Sequence, residues 1–137
     1  MQSGSTSYSE TDASQAYYYA KDVIKGRWLA GEEVIATDAE FAYYYAKNII
    51  KGRFPAGEAA IATDAESAYQ YAYYYARYVI KGRWPAGEAA IATDANYAYY
   101  YARDIIKGRF PLGEEVIANS EYNCDYWFTV AVLEPAS

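Results

Sequence analysis

The chain has 137 residues, of which 53% are hydrophobic and 19% aromatic, and its formal net charge is −6. This length allows one domain with a modest core, and the acidic balance disfavours nonspecific attraction to nucleic acid or to an anionic membrane. A single cysteine, Cys124, excludes an internal disulfide, and the absence of histidine removes the commonest general base and the commonest metal ligand. No apolar run approaches the roughly 18 residues of a membrane-spanning helix. We therefore expect a cytoplasmic protein without membrane contact.

The chain after its first ten residues is an internal repeat. Residues 1–10 predict a flexible N-terminal tail, and the first fifteen residues lack the basic start and apolar core of a signal peptide. The triplet Lys-Gly-Arg begins at positions 25, 51, 81 and 107, so the steps are 26, 30 and 26 residues. Because TDA recurs near the start of each unit, we place the repeats and the remaining C-terminal segments at 11–36, 37–62, 63–92, 93–118, 119–133 and 134–137.

The residue pattern of each repeat predicts a helix followed by a second, shorter helix. In the second repeat, Thr37 begins a capping-box pattern with its hydroxyl as N-cap and Glu40 reaching back. Apolar residues at helical spacing follow, and Gly52 is placed to take the left-handed conformation that ends a helix. Pro55 then starts a second helix of about two turns, which runs to about Ala62. Such a small hairpin cannot bury its own apolar stripe, but neighbouring repeats can cover it.

The pattern therefore predicts an all-α fold, a short right-handed α-solenoid of four helical hairpins. The third repeat is four residues longer, and its extra turn is expected to project Tyr69, Gln70 and Tyr71 beyond the neighbouring repeats.

The segment 119–133 predicts a degenerate capping helix. Alignment with the second repeat places Cys124 at Ala42, Trp127 at Tyr45, Phe128 at Ala46 and Val132 at Ile50. A β-strand is the alternative, because Tyr, Trp, Phe, Thr and Val favour strands.

Three consecutive tyrosines occur in every repeat and must serve different roles, because three successive helical residues spread over 200°. The third of each triplet lies on the apolar stripe and predicts a core position, and the first flanks the stripe and can pack on the next repeat. The middle one points nearly opposite and is expected to be exposed. A row of exposed tyrosines is either an inert spacer or a protein-binding surface. The predicted partner-binding residues are Tyr18, Tyr44, Tyr74, Tyr100, Tyr69, Gln70 and Tyr71.

The Lys-Gly-Arg triplet admits two interpretations. In the first, it ends a helix and its Arg pairs with one of two acidic sets, either Glu32, Glu58, Glu88 and Glu114 or Asp38, Asp64 and Asp94. In the second, it forms a nucleic-acid track with aromatic residues that stack on bases. The residues of that alternative are Lys25, Arg27, Lys51, Arg53, Lys81, Arg83, Lys107 and Arg109.

The residues of a catalytic site are not evident. The glycines occur singly rather than in a phosphate-binding loop, and a nucleophilic Ser or Cys would have no histidine as base. The adjacent acids Glu32 and Glu33, or Glu114 and Glu115, fit a helix start better than a hydrolytic carboxylate pair. We predict no enzyme, no catalytic residue, no cofactor and no metal.

The units AYYYAKNIIKGRFPAGE and AYYYARDIIKGRFPLGE, together with the corresponding parts of the other repeats over residues 11–118, resemble a short tandem repeat. Its form is AYxYAxxVIKGR[WF]PxxE, and it is associated with largely uncharacterised bacteriophage and viral proteins; Leu29 departs from it where that form has proline. The resemblance implies a helical repeat of phage origin and no established activity.

These observations predict a binding protein that acts on another macromolecule. A protein partner is expected, and the phage-like repeats favour an inhibitor of a host system, of the anti-defence or anti-CRISPR type. Nucleic-acid binding through the basic residues is an alternative that the net charge disfavours, and a structural protein or a homo-oligomer is another.

Overall fold

The computed structural model describes residues 12–63 and 68–134, and all regular structure within these ranges is helical. The predicted all-α repeat fold is therefore confirmed. The predicted tail at 1–10 lies outside the described residues, as do residues 135–137 and residues 64–67 of the longer third repeat.

No described helix combines the length and the apolar character needed to cross a bilayer. The helices are α1 Ala13–Tyr19, α2 Leu29–Ile35, α3 Ala39–Tyr44, α4 Pro55–Thr63, α5 Ala68–Tyr74, α6 Pro85–Ile91, α7 Ala95–Tyr101, α8 Glu114–Ala118 and α9 Asn123–Leu133.

The helices α1, α3 and α7, each the first helix of its repeat, are capped at their N-termini by aspartate, not by threonine as predicted. The Asp38 carboxylate accepts a hydrogen bond from the Phe41 N–H at 3.0 Å, and Asp38 has the extended backbone (φ −122°, ψ 122°) of an N-cap. The Thr37 hydroxyl instead donates to the Val34 carbonyl of the preceding helix at 2.7 Å. Asp12 and Asp94 cap α1 and α7 in the same way. The threonine thus ends one helix, and the aspartate begins the next.

The C-terminal ends of these helices widen into π-helical turns, which span Ala20–Ile24, Tyr45–Ile50, Tyr75–Ile80 and Ala102–Ile106. The Lys51 N–H donates to the Ala46 carbonyl at 2.7 Å, and the Gly52 N–H donates to the same carbonyl at 3.1 Å. Lys51 is the left-handed residue (φ 61°), so the prediction for Gly52 is wrong. In this wide turn both N–H groups bond to one carbonyl. The residue with the left-handed backbone is therefore the lysine that directly precedes the glycine.

The repeats stack in chain order as two layers. In one layer α1 packs on α3, α3 on α5 and α5 on α7, and α9 follows against the π-helical turn after α7. In the other layer α2 packs on α4 and α4 on α6, which contacts the 3₁₀ turn Pro111–Gly113 that leads into α8. This in-register stack places equivalent residues of every repeat in rows. The right-handed sense of the solenoid stays a prediction.

The core lies between the two layers and is filled once per repeat. Phe54 and Ile61 are buried there, as predicted from their positions in the second repeat, beside Ala42 and Ala46. Close approach explains the glycine of each second helix. A Cβ on Gly57 would lie 2.7 Å from the Ala42 Cβ and 2.8 Å from a ring carbon of Phe54, so any side chain would displace the aromatic ring.

The last helix closes the stack with a register that differs by one residue from the predicted one. Segment 119–133 contains α9 and no described strand, so the predicted helix is confirmed and the alternative of a β-strand is wrong. However, Tyr126 is fully buried, whereas Trp127 and Phe128 are 42% and 73% exposed. Tyr126 therefore takes the place of Tyr45, because its hydroxyl can reach the partners described below and an indole at 127 could not.

Candidate functional site

A hydrogen-bonded clamp joins each repeat to the next and accounts for most of the repeated motif. Arg53 and Glu58 form a bidentate ion pair with N···O distances of 2.8 and 2.9 Å. The hydroxyl of Tyr75, from the following repeat, donates to Glu58 at 2.6 Å and accepts from the Phe54 N–H at 2.9 Å. The same arrangement occurs four times, with the Arg–Glu–Tyr sets Arg27–Glu32–Tyr45, Arg53–Glu58–Tyr75, Arg83–Glu88–Tyr101 and Arg109–Glu114–Tyr126.

The clamp stabilises the neutral tyrosine and the ionised glutamate. The hydrogen bond from Arg53 lowers the pKa of Glu58, and the Tyr75 hydroxyl adds to this effect against the opposing effect of burial. Burial, together with the adjacent Glu32 carboxylate, raises the pKa of Tyr45 to about 12. The tyrosines at 45, 75 and 101 are core residues, as predicted for the third position of every triplet, whereas Tyr19 at that position is only half-buried. The clamp also confirms the predicted pairing of the triplet's arginine with glutamate.

The basic residues of the nucleic-acid alternative are consequently split into two groups. The arginines at 27, 53, 83 and 109 are half exposed, but each is paired with a glutamate whose negative charge opposes the approach of a phosphate. The lysines are exposed along one edge of the stack, one directly after each π-helical turn. They are Lys25, Lys51, Lys81 and Lys107.

The first tyrosine of each triplet forms a buried contact with the following repeat, as predicted. Tyr43 is 4% exposed, and its ring centroid lies 5.9 Å from that of Tyr71 and 5.8 Å from that of Tyr74. Tyr17, Tyr73 and Tyr99 occupy the same position and are buried. These rings form the floor beneath a second, more superficial aromatic row.

We call that superficial row the tyrosine strip. Its neighbouring ring centroids are 5.7–6.4 Å apart, and neighbouring ring planes meet at 70–86°, so each ring meets the next edge to face. The strip crosses all repeats without a break and ends on the segment before α9. Its eight members are Tyr18, Phe41, Tyr44, Tyr71, Tyr74, Tyr97, Tyr100 and Tyr122.

The strip contains the predicted middle tyrosines, but most are less exposed than predicted. Tyr18 is 49% exposed, whereas Tyr44, Tyr74 and Tyr100 are half-buried. Rings of the following repeat, at 41, 71, 97 and 122, pack on all four middle tyrosines. Tyr44, Tyr74 and Tyr100 also pack on the first tyrosine of the preceding repeat, whereas Tyr18 lies in the first repeat and has no such neighbour among the described residues.

The predicted projection of the longer third repeat is wrong. Tyr71 packs between Tyr44 and Tyr74 as a member of the strip, and Tyr69 packs on Tyr97 with centroids 5.5 Å apart. Gln70 is half-buried beside them. Tyr71 is the third repeat's equivalent of Phe41, so the stack itself covers it.

Sequence reasoning missed three members of the strip, namely Phe41, Tyr97 and Tyr122. Phe41 and Tyr97 each lie three residues before a middle tyrosine, and such i, i+3 pairs are neighbours on a helix surface. This spacing could have identified two of them. Tyr122 precedes α9 and carries no such signal.

Cations border the strip on one side. The Lys47 ammonium lies 5.1 Å from the ring centroid of Tyr78, and the Arg103 guanidinium lies 5.1 Å from that of Tyr100. Arg77 pairs with Asp104 at 2.9 Å and also lies over Tyr78. These contacts hold long side chains against the aromatic surface.

No group of three or more metal-ligating side chains is present in residues 12–63 and 68–134. The adjacent acids do not form a shared site there, because Glu32 and Glu114 belong to clamps while Glu33 and Glu115 are exposed. The tyrosine strip is therefore the most extensive candidate surface.

No protein family, curated protein or solved structure matches this chain.

Proposed function

We propose that this protein is a non-enzymatic binding protein that contacts another protein through its tyrosine strip. The observation that carries the proposal is the unbroken row of eight aromatic rings on one face. Tyrosine is enriched among residues that dominate binding energy, and it loses little conformational entropy on binding. Edge-to-face packing orders these rings before a partner arrives, which further reduces the entropic cost of association.

Two features favour a protein partner over a nucleic acid. Base stacking needs open ring faces, but neighbouring rings of the strip meet edge to face and cover one another. The arginines that would contact phosphates are engaged in bidentate pairs with glutamate. A surface of hydroxyl groups and ring edges suits a peptide surface that offers both apolar contacts and hydrogen-bond acceptors.

The class of partner follows from the resemblance of the repeats to phage and viral proteins. Within this proposal, the partner is a host protein and binding inhibits it, as an anti-defence or anti-CRISPR protein would. The absence of a predicted catalytic group is compatible with inhibition by occupancy of a surface.

The test is capture of partners from host lysate, followed by affinity measurement with the purified partner. Tyr44→Ser combined with Tyr74→Ser should weaken binding at least tenfold, because hot-spot side chains contribute more than 1 kcal/mol each. Glu33→Ser combined with Glu115→Ser is the matched control on exposed positions of the second helices. Far-UV circular dichroism must show both variants folded.

Full affinity in the folded tyrosine variant would refute the strip as the binding surface. Gel shifts with single-stranded DNA and RNA address the alternative. Binding that falls steeply between low and moderate salt would favour nucleic acid as the partner.

A further inference from the structure

The lysine that follows each π-helical turn adopts a left-handed backbone conformation, which is unfavourable for any residue with a Cβ. Lys25, Lys51, Lys81 and Lys107 have φ values of 60–64°, whereas no described glycine has a positive φ. A side chain with a Cβ is strained in this region, and glycine is the usual residue there. A cation does stabilise a helix C-terminus, but Lys47 supplies one a turn earlier from an ordinary helical position. Capping alone therefore does not explain the lysine.

Two of these lysines line a groove between the second and third repeats. The groove has a volume of about 160 Å³ and is lined by Lys47, Lys51, Gly52, Tyr78, Val79 and Lys81. Lys47 is held over the Tyr78 ring at 5.1 Å. Among residues 12–63 and 68–134, no carboxylate forms an ion pair with Lys47, Lys51 or Lys81. Three lysines therefore line this groove, and no described carboxylate forms an ion pair with any of them.

The equivalent groove between the third and fourth repeats shows what makes this one different. Its lining includes Arg77, Lys81 and Lys107, but also Asp104, which stands where the other groove has Tyr78. Asp104 accepts hydrogen bonds from Arg77 at 2.9 Å and from the Tyr73 hydroxyl at 3.0 Å. An internal carboxylate thus already occupies the anion position there.

We infer that the groove between the second and third repeats binds a small polyvalent oxyanion of the phosphate class. Its oxygens would take the place of the carboxylate that Asp104 supplies in the next groove. Lysine is a common phosphate ligand, and three lysines around one pocket attract a multiply charged anion in spite of the net charge of −6. The site is distinct from the tyrosine strip and does not depend on the proposed protein partner.

The experiment is isothermal titration calorimetry, in which inorganic pyrophosphate is added to the full chain at low salt. We expect one site per chain. Lys51→Met combined with Lys81→Met should weaken binding at least tenfold. Lys25→Met, which changes the equivalent strained lysine of the first repeat, should leave binding unchanged.

Lys51→Gly separates a binding role from a structural one. Glycine tolerates the positive φ, so this variant should unfold at a higher denaturant concentration while it binds pyrophosphate more weakly. Lower stability of Lys51→Gly would refute the idea that the lysine is retained at a conformational cost.

Absence of pyrophosphate binding, or an equal loss in Lys25→Met, would overturn the groove as a defined site. The same conclusion would follow if a single-stranded oligonucleotide bound with equal dependence on all four lysines, because a continuous track would then replace the pocket.

Discussion

At Tyr75, one hydroxyl group bonds to two partners from the preceding repeat, the backbone of the buried Phe54 and the partly buried Glu58. It accepts from the Phe54 N–H, and it donates to Glu58, which Arg53 holds from its solvent side. A phenol suits this position because it carries both a donor and an acceptor at the tip of a large apolar ring. The third tyrosine of the triplet is therefore required for its hydroxyl as well as for its volume.

Tyr75→Phe is expected to lower the free energy of unfolding by about 1–3 kcal/mol, because it leaves the buried Phe54 N–H without an acceptor. Urea denaturation followed by circular dichroism would measure the change. Tyr69→Phe is the matched control, since its ring packs at the surface on Tyr97, and it should change stability by less than about 0.5 kcal/mol. Equal effects of the two variants would show that the clamp contributes nothing specific.

At the scale of the helix, two neighbouring residues cap two different helices at the junction between the first and second repeats. Thr37 satisfies a carbonyl at the end of α2, and Asp38 satisfies an N–H at the start of α3. Both residue types are good N-caps, so their order in the sequence did not decide which one would cap. The position of the preceding helix decided it, because the Val34 carbonyl lies within reach of the Thr37 hydroxyl.

Asp38→Ala should cost about 1 kcal/mol of stability through loss of the N-cap of α3. Thr37→Ala removes only an exposed hydrogen bond and should cost less than half as much. Thermal and urea unfolding of the two variants would provide the comparison. A larger loss for Thr37→Ala would restore the capping-box interpretation.

Over the whole molecule, the four clamps make stability depend on pH in both directions. The pKa of Glu58 and Glu114 is lowered by hydrogen bonds from arginine, so their contribution is present above the ordinary value of 4.5 and is lost as the pH falls through the folded value. The pKa of Tyr45 and Tyr126 is raised by burial to about 12, from an ordinary value of 10.0. Their contribution is present below 10 and is lost as the pH rises toward 12.

We expect a stability plateau between about pH 5 and 9, with cooperative loss of helix on either side. The urea midpoint, measured from pH values below this plateau up to pH 12 together with tyrosinate absorbance at alkaline pH, would test this expectation. Tyr75→Phe removes one buried titrating group, so its alkaline decline should be shallower. A midpoint that stayed constant from neutral pH to pH 12 would contradict the assignment of buried neutral phenols.

Helix content, the number of repeats and the burial of particular tyrosines were predictable from local pattern. Phe54, Ile61 and Tyr45 lie at helical spacing in a repeat too small to bury them alone, and this constrains them to a stacked core. The register of α9 was not predictable in this way. A one-residue shift keeps an apolar pattern almost intact, and only the reach of the Tyr126 hydroxyl to Glu114 selects between the two registers.

The tyrosine strip was predictable in part. Helical geometry alone separates the middle tyrosine from the other two, since successive residues point 100° apart. How far each ring is exposed depends on the rings of the two neighbouring repeats that lie against it, as Tyr17 and Tyr71 lie against Tyr44. That information is not contained in the local pattern of one repeat.

The sequence by itself determined that this chain forms helical hairpins that must stack, because periodicity and helix-ending residues act within a few residues of one another. The tertiary structure alone decided that Arg, Glu and Tyr from adjacent repeats form one clamp, that the tyrosines merge into a strip, and that three lysines meet in one groove. Each of these depends on the distance between side chains of different repeats, and that distance is set by how closely the alanine and glycine positions let the helices approach.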